Sequence, residues 1–367
     1  MAATPYGIYV HVPFCHSLCS YCDFVRYLYK ADDLEAYLRA LCREIDTYDG
    51  DVSIKTIFLG GGTPSLLSET QLEKIFSALH RKFKFAPNLS RPEISMEVNS
   101  EDVTDSRVKI WKSLGVNRIS VGVQSFDDAT LIRMGRRHDG AKARKAIETV
   151  GRHFDNWGMD LIFGASSRNT WMESLRIARA YNPPHISTYE LSYCPGTPLY
   201  AERDTKLDED LLLGLYQDAR LVLEDYEHYE ISNFAQRGFQ CQHNITYWTN
   251  EWYLGFGPGA YSFADHCRMV NTSDLPAYVQ DPLLKAERLQ LSTEEEQVET
   301  LIQHFRLRDG LDPNYFHRRF GVDVHRSFGT QLKRLIERGL LEYKGDKICP
   351  TEQGFFLNDE IGLELLP

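Results

Sequence analysis

Three cysteines stand close together, Cys15, Cys19 and Cys22, spaced Cys-x3-Cys-x2-Cys. The other five (Cys42, Cys194, Cys241, Cys267 and Cys349) stand singly. A secreted disulfide framework is shorter and denser in cysteine, whereas a tight cluster in a reducing compartment reads as a metal or redox centre. Iron–sulfur clusters normally take four thiolates, so three on a four-iron cluster leave one iron open to an outside ligand. Zinc is the alternative. It needs a fourth donor, which His11 or His16 could supply. Inert buried thiols are the third reading, against which the flanking Pro13, His16, Ser17 and Ser20 speak for a loop.

Two further stretches have the composition of sites. Gly60-Gly61-Gly62-Thr63-Pro64-Ser65 ends an apolar run, and three glycines let a backbone approach a ligand without Cβ interference. A tight strand-to-helix turn is the plain alternative. The stretch lacks the GxGxxG spacing of a dinucleotide site. The second, His243-Asn244-Ile245-Thr246-Tyr247-Trp248, sets an imidazole among aromatic rings and is followed by YLGFGPGAYSF. A neutral imidazole is a common axial ligand of heme iron, and aromatic rings pack on porphyrin faces. A histidine hydrogen-bonded within a turn, among core aromatics, is the plain alternative.

The elements that must position these groups alternate along the chain. The short runs YGIYVHV, IKTIFLG, EISMEV, RISVGVQ, GMDLIFG, HISTYEL and YEISNF suit strands of a covered parallel sheet. Helical patterns separate them. One opens at Ser68, with Gln71 placed for a capping box, and another ends at Gly115. This alternation predicts right-handed crossovers and an α/β fold, a parallel sheet or barrel of about six strands. The cysteines follow the first run, and barrel chemistry gathers at strand carboxyl ends. After Phe234 the helix period fades. From Ser292 short helices and a hairpin suggest a winged-helix-like module. The expected division is a barrel over 1–235, an aromatic and glycine-rich segment over 236–285, and the C-terminal module over 286–367.

Composition narrows the function. Hydrophobic residues are 43% and charged residues 25% of 367, a globular balance that excludes disordered and fibrous classes. The formal charge is 41 − 52 = −11, and an acidic chain is a poor fold-wide partner for phosphate backbones. No nucleic acid is expected, although Arg326, Lys333, Arg334 and Arg338 lie on a winged-helix-like helix. There, a packing or lid role is preferred. No apolar run approaches the ~20 residues of a membrane span, and the start MAATPYGIYVHVPFC does not read as a secretion signal. A cytoplasmic protein is expected.

The run IYVHVPFCHSLCSYCDF resembles the radical S-adenosylmethionine (SAM) superfamily, in the branch of the oxygen-independent coproporphyrinogen III oxidases. The resemblance implies a partial (β/α)6 barrel. It also implies a 4Fe-4S cluster on Cys15, Cys19 and Cys22, whose open iron chelates S-adenosylmethionine. It carries over Tyr9, Tyr21, Gly61, Gly62, Thr63, Glu97, Gln124, Arg136 and Asp160 as SAM-binding positions. Two stretches depart from the family pattern: Asn99-Ser100, where Asn-Pro is usual, and Gly164-Ala165-Ser166, where Gly-Leu-Pro is usual.

Cys22-Asp23-Phe24 lacks the further cysteine of the true oxidases and is similar to the HemW branch, the heme chaperones. The HNxxYW signature and FRLRDGLDPNYFHRRFG resemble that branch too, so the resemblance runs from Tyr6 to about Leu363. It implies heme binding and delivery to an acceptor protein, which a membrane could carry, with His243, Asn244, Tyr247 and Trp248 as heme-associated residues. It also implies an electron donor such as flavodoxin or ferredoxin, and a monomer or dimer. The rival readings are a carbon methyltransferase or other tetrapyrrole enzyme, a coproporphyrinogen III oxidase, and a DNA-binding redox regulator.

Overall fold

A computed structural model of the chain describes residues 5–87, 89 and 91–366. Residues 1–4, where the secretion-signal reading begins, lie outside the described residues, as does residue 367, the end of the last expected division.

Six parallel strands form the frame: β1 (Tyr6–Val12), β2 (Ser53–Gly61), β3 (Glu93–Asn99), β4 (Arg118–Gln124), β5 (Trp157–Phe163) and β6 (His185–Glu190). They lie side by side in chain order. Helices α1 (Ala31–Thr47), α2 (Glu69–Lys82), α3 (Asp105–Ser113), α4 (Asp128–Arg133), α5 (Gly140–His153) and α6 (Arg168–Ala180) fill the crossovers. Side-chain caps start five of them: Ser68, Thr104, Asp127, Asp139 and Ser167 each accept a backbone N–H of the first turn. The Ser68–Gln71 capping box forms, and Gly115 follows α3 with φ +93°.

The strands have two different faces. Residues such as Ile8, Val10, Ile57, Met96, Val121 and Met159 join the helices in the main apolar core. Residues of the opposite parity point into the barrel, and many are polar: Glu93, Glu97, Arg118, Ser120, Asp160, His185 and Ser187. The sheet does not close. Beyond β6 it adds β7 (Glu227–Glu230) and β8 (Asn233–Ala235), with β8 antiparallel to β6. Beyond β1 it adds β9 (Tyr253–Phe256) in parallel, then β10 (Tyr261–Ala264), β11 (Cys267–Asn271) and β12 (Lys285–Gln290) antiparallel. The fold is thus a partial (β/α)6 barrel with an extended edge.

The segment after β8 contains a helix that its sequence period does not announce. Helix α7 (Glu209–Val222) precedes β7, and α8 (Gln242–Trp248) enters the amino-terminal end of the barrel. Leu254, Phe256, Leu275 and Tyr278 of this segment belong to the main core. Toward the C-terminus, α9 (Leu275–Gln280) is followed by α10 (Thr293–His304), α11 (Pro313–Phe320) and α12 (Val324–Glu337). The hairpin β13 (Leu341–Lys344) and β14 (Lys347–Pro350) comes next. These last elements share a second apolar core around Phe305, Phe316, Leu332 and Leu335. Arg319 ties this unit to the barrel. Held within the unit by Glu296 at 2.7 and 3.1 Å, its guanidinium donates across to the Asn250 carbonyl at 2.7 Å.

Candidate functional site

The cysteine loop is shaped by backbone bonds to its surroundings. Phe14–Cys15 pairs with Tyr27–Leu28, Tyr29 N donates to the Cys15 carbonyl, and Ser20 N donates to the Met134 carbonyl. Arg26 closes the loop from within, donating to the Cys19 carbonyl at 2.7 Å. All three thiols are partly exposed. Burial pushes the Cys15 and Cys22 thiols up, so loading a metal there displaces protons.

The glycine stretch packs directly on this loop. A Cβ at Gly62 would lie 2.9 Å from the Phe14 and Val12 carbonyl oxygens. Gly61 has φ +106°, and a Cβ there would strike the His11 ring at 2.5 Å. Its N–H donates to Glu97 at 3.1 Å. Both glycines therefore let the end of β2 sit against the end of β1, which fixes Thr63 beside the first cysteine.

A cavity of about 730 Å³ opens at the carboxyl ends of the strands. The structure brings together here Cys15, Cys19, Cys22, Tyr21, Gly61, Gly62, Thr63, Glu97, Gln124, Arg136 and Asp160. Tyr9 is not among them. It lies deeper in the barrel, in an inner chamber of about 170 Å³, with its hydroxyl 3.0 Å from His11 Nδ1.

Sequence reasoning did not assign Asn99, which links two site residues. Its Nδ2 donates to Thr63 Oγ1 at 3.1 Å, and its Oδ1 accepts from Arg136 at 2.8 Å. Thr63 and Arg136 in turn donate to Cys15 Sγ at 3.3 Å and Cys19 Sγ at 3.5 Å. Arg306 and Asp359 also line the cavity from the C-terminal unit, far away in sequence and without a local signal.

The donor set fits the groups that the fold implies. Gln124 holds a left-handed backbone, φ +65°, and its side-chain oxygen is buried with no partner. Such strain at a non-glycine residue gathers at functional sites. Arg136 Nε is also buried without a partner. A free acceptor and a free guanidinium donor in one cavity suit a ligand that carries both an ammonium and a carboxylate. Burial and the neighbouring Asp160 push the Glu97 carboxyl up to about 8, and burial raises Asp160 as well. A cation entering this chamber would find two carboxyls ready to ionise beside it.

The HNxxYW residues sit elsewhere. His243 is buried at the amino ends of the strands, with Nδ1 2.8 Å from Thr56 Oγ1 and Nε2 2.7 Å from the Tyr247 hydroxyl. Its ring stacks on Phe58. Burial drops its pKa to about 3. Both ring nitrogens are engaged, so His243 offers no lone pair to an iron in this conformation. Asn244 and Tyr247 line the inner chamber beside it, and Trp248 lies under the Arg306 guanidinium at 4.3 Å. The plain alternative of a satisfied core histidine describes this geometry better than an axial ligand does.

The model of the radical SAM superfamily matches residues 9–176, and that of the HemN C-terminal domain matches residues 291–357. Heme chaperone HemW of Bacillus subtilis is 33% identical over 96% of this chain and 97% of its own length. The chain belongs to the HemW family. A second HemW, from Escherichia coli, is also 33% identical, over 98% of both chains. The solved structure of coproporphyrinogen III oxidase (HemN) from Escherichia coli, a radical SAM enzyme, matches with a TM-score of 0.85. It covers 98% of this chain and 90% of that one at 22% identity, a likeness of fold. As a HemW-family member the chain is a radical SAM protein, with a 4Fe-4S cluster and S-adenosylmethionine as cofactors.

Proposed function

We propose that this chain is a heme chaperone, binding heme and handing it to an acceptor protein. The observation that carries the reading is identity with HemW proteins over nearly the whole chain. In this reading Cys15, Cys19 and Cys22 hold the cluster. When bound, the cluster supplies one-electron chemistry to S-adenosylmethionine. Thr63 and Arg136 donate to the cysteine sulfurs, and Asn99 holds that pair in place. Tyr21, Gly61, Gly62, Glu97, Gln124 and Asp160 bind and orient S-adenosylmethionine, and Tyr9 supports them from below through His11. His243, Asn244, Tyr247 and Trp248 are the heme-associated residues of this reading, closing the floor of the barrel.

Further parts of the reading are a cytoplasmic location, a flavodoxin or ferredoxin as electron donor, an acceptor that a membrane could carry, and a monomeric or dimeric chain. Among the described residues no helix is long and apolar enough to cross a membrane. The chain divides functionally into the barrel 1–235, the segment 236–285 that extends its sheet, and the module 286–367. A second reading, a radical enzyme acting on a tetrapyrrole or other substrate by methylation or oxidation, is favoured by the polar cavity around the cysteines. The run Cys22-Asp23-Phe24, which lacks the further cysteine of the oxidases, weighs against coproporphyrinogen oxidation.

Delivery separates these readings. Heme-loaded chain mixed with an apo-hemoprotein should convert it to the holo form, followed by its absorbance. Heme retained on the chain throughout would overturn the chaperone reading.

A further inference from the structure

A groove of about 1030 Å³ lies between the β7–β8 edge of the sheet and the C-terminal unit. Its volume is at the upper end of ligand sites, roughly 300–1,000 Å³. His304, the last residue of α10, lines it and is 5% exposed. Its Nδ1 lies 2.8 Å from the Thr300 carbonyl, which fixes that nitrogen as the donor. Among the described residues its Nε2 makes no hydrogen bond. A ring that donates one N–H to a carbonyl and keeps the other nitrogen bare is arranged as metal-ligating histidines are. Burial drops the His304 pKa to about 4, so the imidazole is neutral at physiological pH. His243 has neither nitrogen free.

The rest of the groove suits a large planar ligand with two carboxylates. Tyr226, Tyr229, Phe234 and Tyr315 contribute aromatic surface, and the Tyr315 ring lies 5.1 Å from that of His304. Arg318 and Lys347 stand at the rim, paired with Asp312 and Asp309 at 3.7 and 3.0 Å. Such exposed pairs are weak, so an incoming carboxylate can replace the partner at small cost. Of the groove's other carboxylates, Glu227 and Glu251 are bonded to Gln240 and Lys55, while Glu224 makes no ion pair among the described residues. Ile245 and Thr249, in and just after α8, form part of the wall, which places the HNxxYW helix beside the groove. Arg306 faces the cysteine cavity while Leu307 and Arg308 face the groove, so one short segment separates the two.

We propose that heme binds in this groove, with His304 Nε2 as an axial ligand and Arg318 and Lys347 receiving its carboxylates. The assignment rests on the heme-chaperone reading. The test is a heme titration of the full, cluster-reconstituted chain under anaerobic conditions, followed at the Soret band, with thermal unfolding as a check on folding. His304→Ala should weaken binding about tenfold or more and move the Soret maximum. His304→Met should give a third spectrum by exchanging the ligand. The rim pair Arg318→Glu/Lys347→Glu, both solvent-exposed, should weaken binding without moving the maximum. His243→Ala should leave the maximum in place. No heme binding by the unaltered chain would overturn the chaperone reading itself. Binding by the unaltered chain with unchanged spectra and affinity in the His304 variants would overturn only this site. If those variants misfold, unchanged affinity in the rim pair has the same force.

Discussion

Glu97 and Asp160 line one chamber, and the consequence for pH can be worked out. The Glu97 pKa rises from 4.5 to about 8 through burial and then the Asp160 charge. A raised carboxyl favours folding fully below its unfolded value, and that contribution is lost as pH climbs through about 8. The ligand-free barrel should therefore lose stability between pH 4.5 and 8 through this group. A bound cation lowers the pKa again, so S-adenosylmethionine binding near pH 7 should expel up to about one proton through Glu97. Titration calorimetry in buffers of different ionisation enthalpy measures it. Glu97→Gln should remove the Glu97 share, and a buffer-independent enthalpy for the unaltered chain would refute it. The residue types of this cavity were legible because the cysteine motif and the strand-end carboxylates lie in short runs. Asn99 was visible only as a departure from a family pattern. Its bridge between Thr63 and Arg136 joins three elements and has no local signature.

Helix α8 shows where sequence period fails. Its seven residues are too few for a 3.6-residue pattern to emerge. It has no side-chain cap; instead Glu93 accepts the His243 and Gln242 N–H groups from across the barrel. A long-range carboxylate does the work of a local cap, so nothing in HNITYW announces a helix start. The same packing predicts the effect of one substitution. Thr56→Val removes the hydroxyl that pairs with His243 Nδ1 and leaves a buried polar atom unmet, at a cost of about 1–3 kcal/mol. Denaturant unfolding reads it as a lower midpoint, and an unchanged midpoint would mean that His243 is not held as described. The strands were legible as apolar runs with turn residues at their ends. Their polar inward face was not, because residues such as Ser120 and Asp160 stand singly within runs that look continuous.

At the level of the molecule, the barrel and the C-terminal unit have separate apolar cores, joined by polar contacts and by Phe356, which packs on the barrel core. Arg319 and Glu296 form a buried ion pair inside the C-terminal unit, with side chains 16% and 3% exposed, and from it Arg319 reaches across to the Asn250 carbonyl at 2.7 Å. Removing one partner of such a pair strands the other charge and costs about 3–5 kcal/mol. Arg319→Ala should therefore lower the unfolding midpoint sharply, and it should loosen the groove by freeing Tyr315, to which Arg319 donates at 2.7 Å. A midpoint equal to that of the unaltered chain would show that this buried pair is not held as described. The sequence pointed to a separate C-terminal module, but the groove between the units depends on their docking, which no single segment encodes.

The central claim, a heme carrier on radical SAM machinery, meets its most direct test in one sample. The anaerobically reconstituted chain is titrated with heme in the presence of S-adenosylmethionine and reductant, and 5′-deoxyadenosine is quantified alongside. One heme bound per chain, with slow cleavage that heme does not stimulate, is the expected result. No heme binding, together with 5′-deoxyadenosine formation that rises with an added tetrapyrrole substrate, would contradict the account and make the chain a radical enzyme.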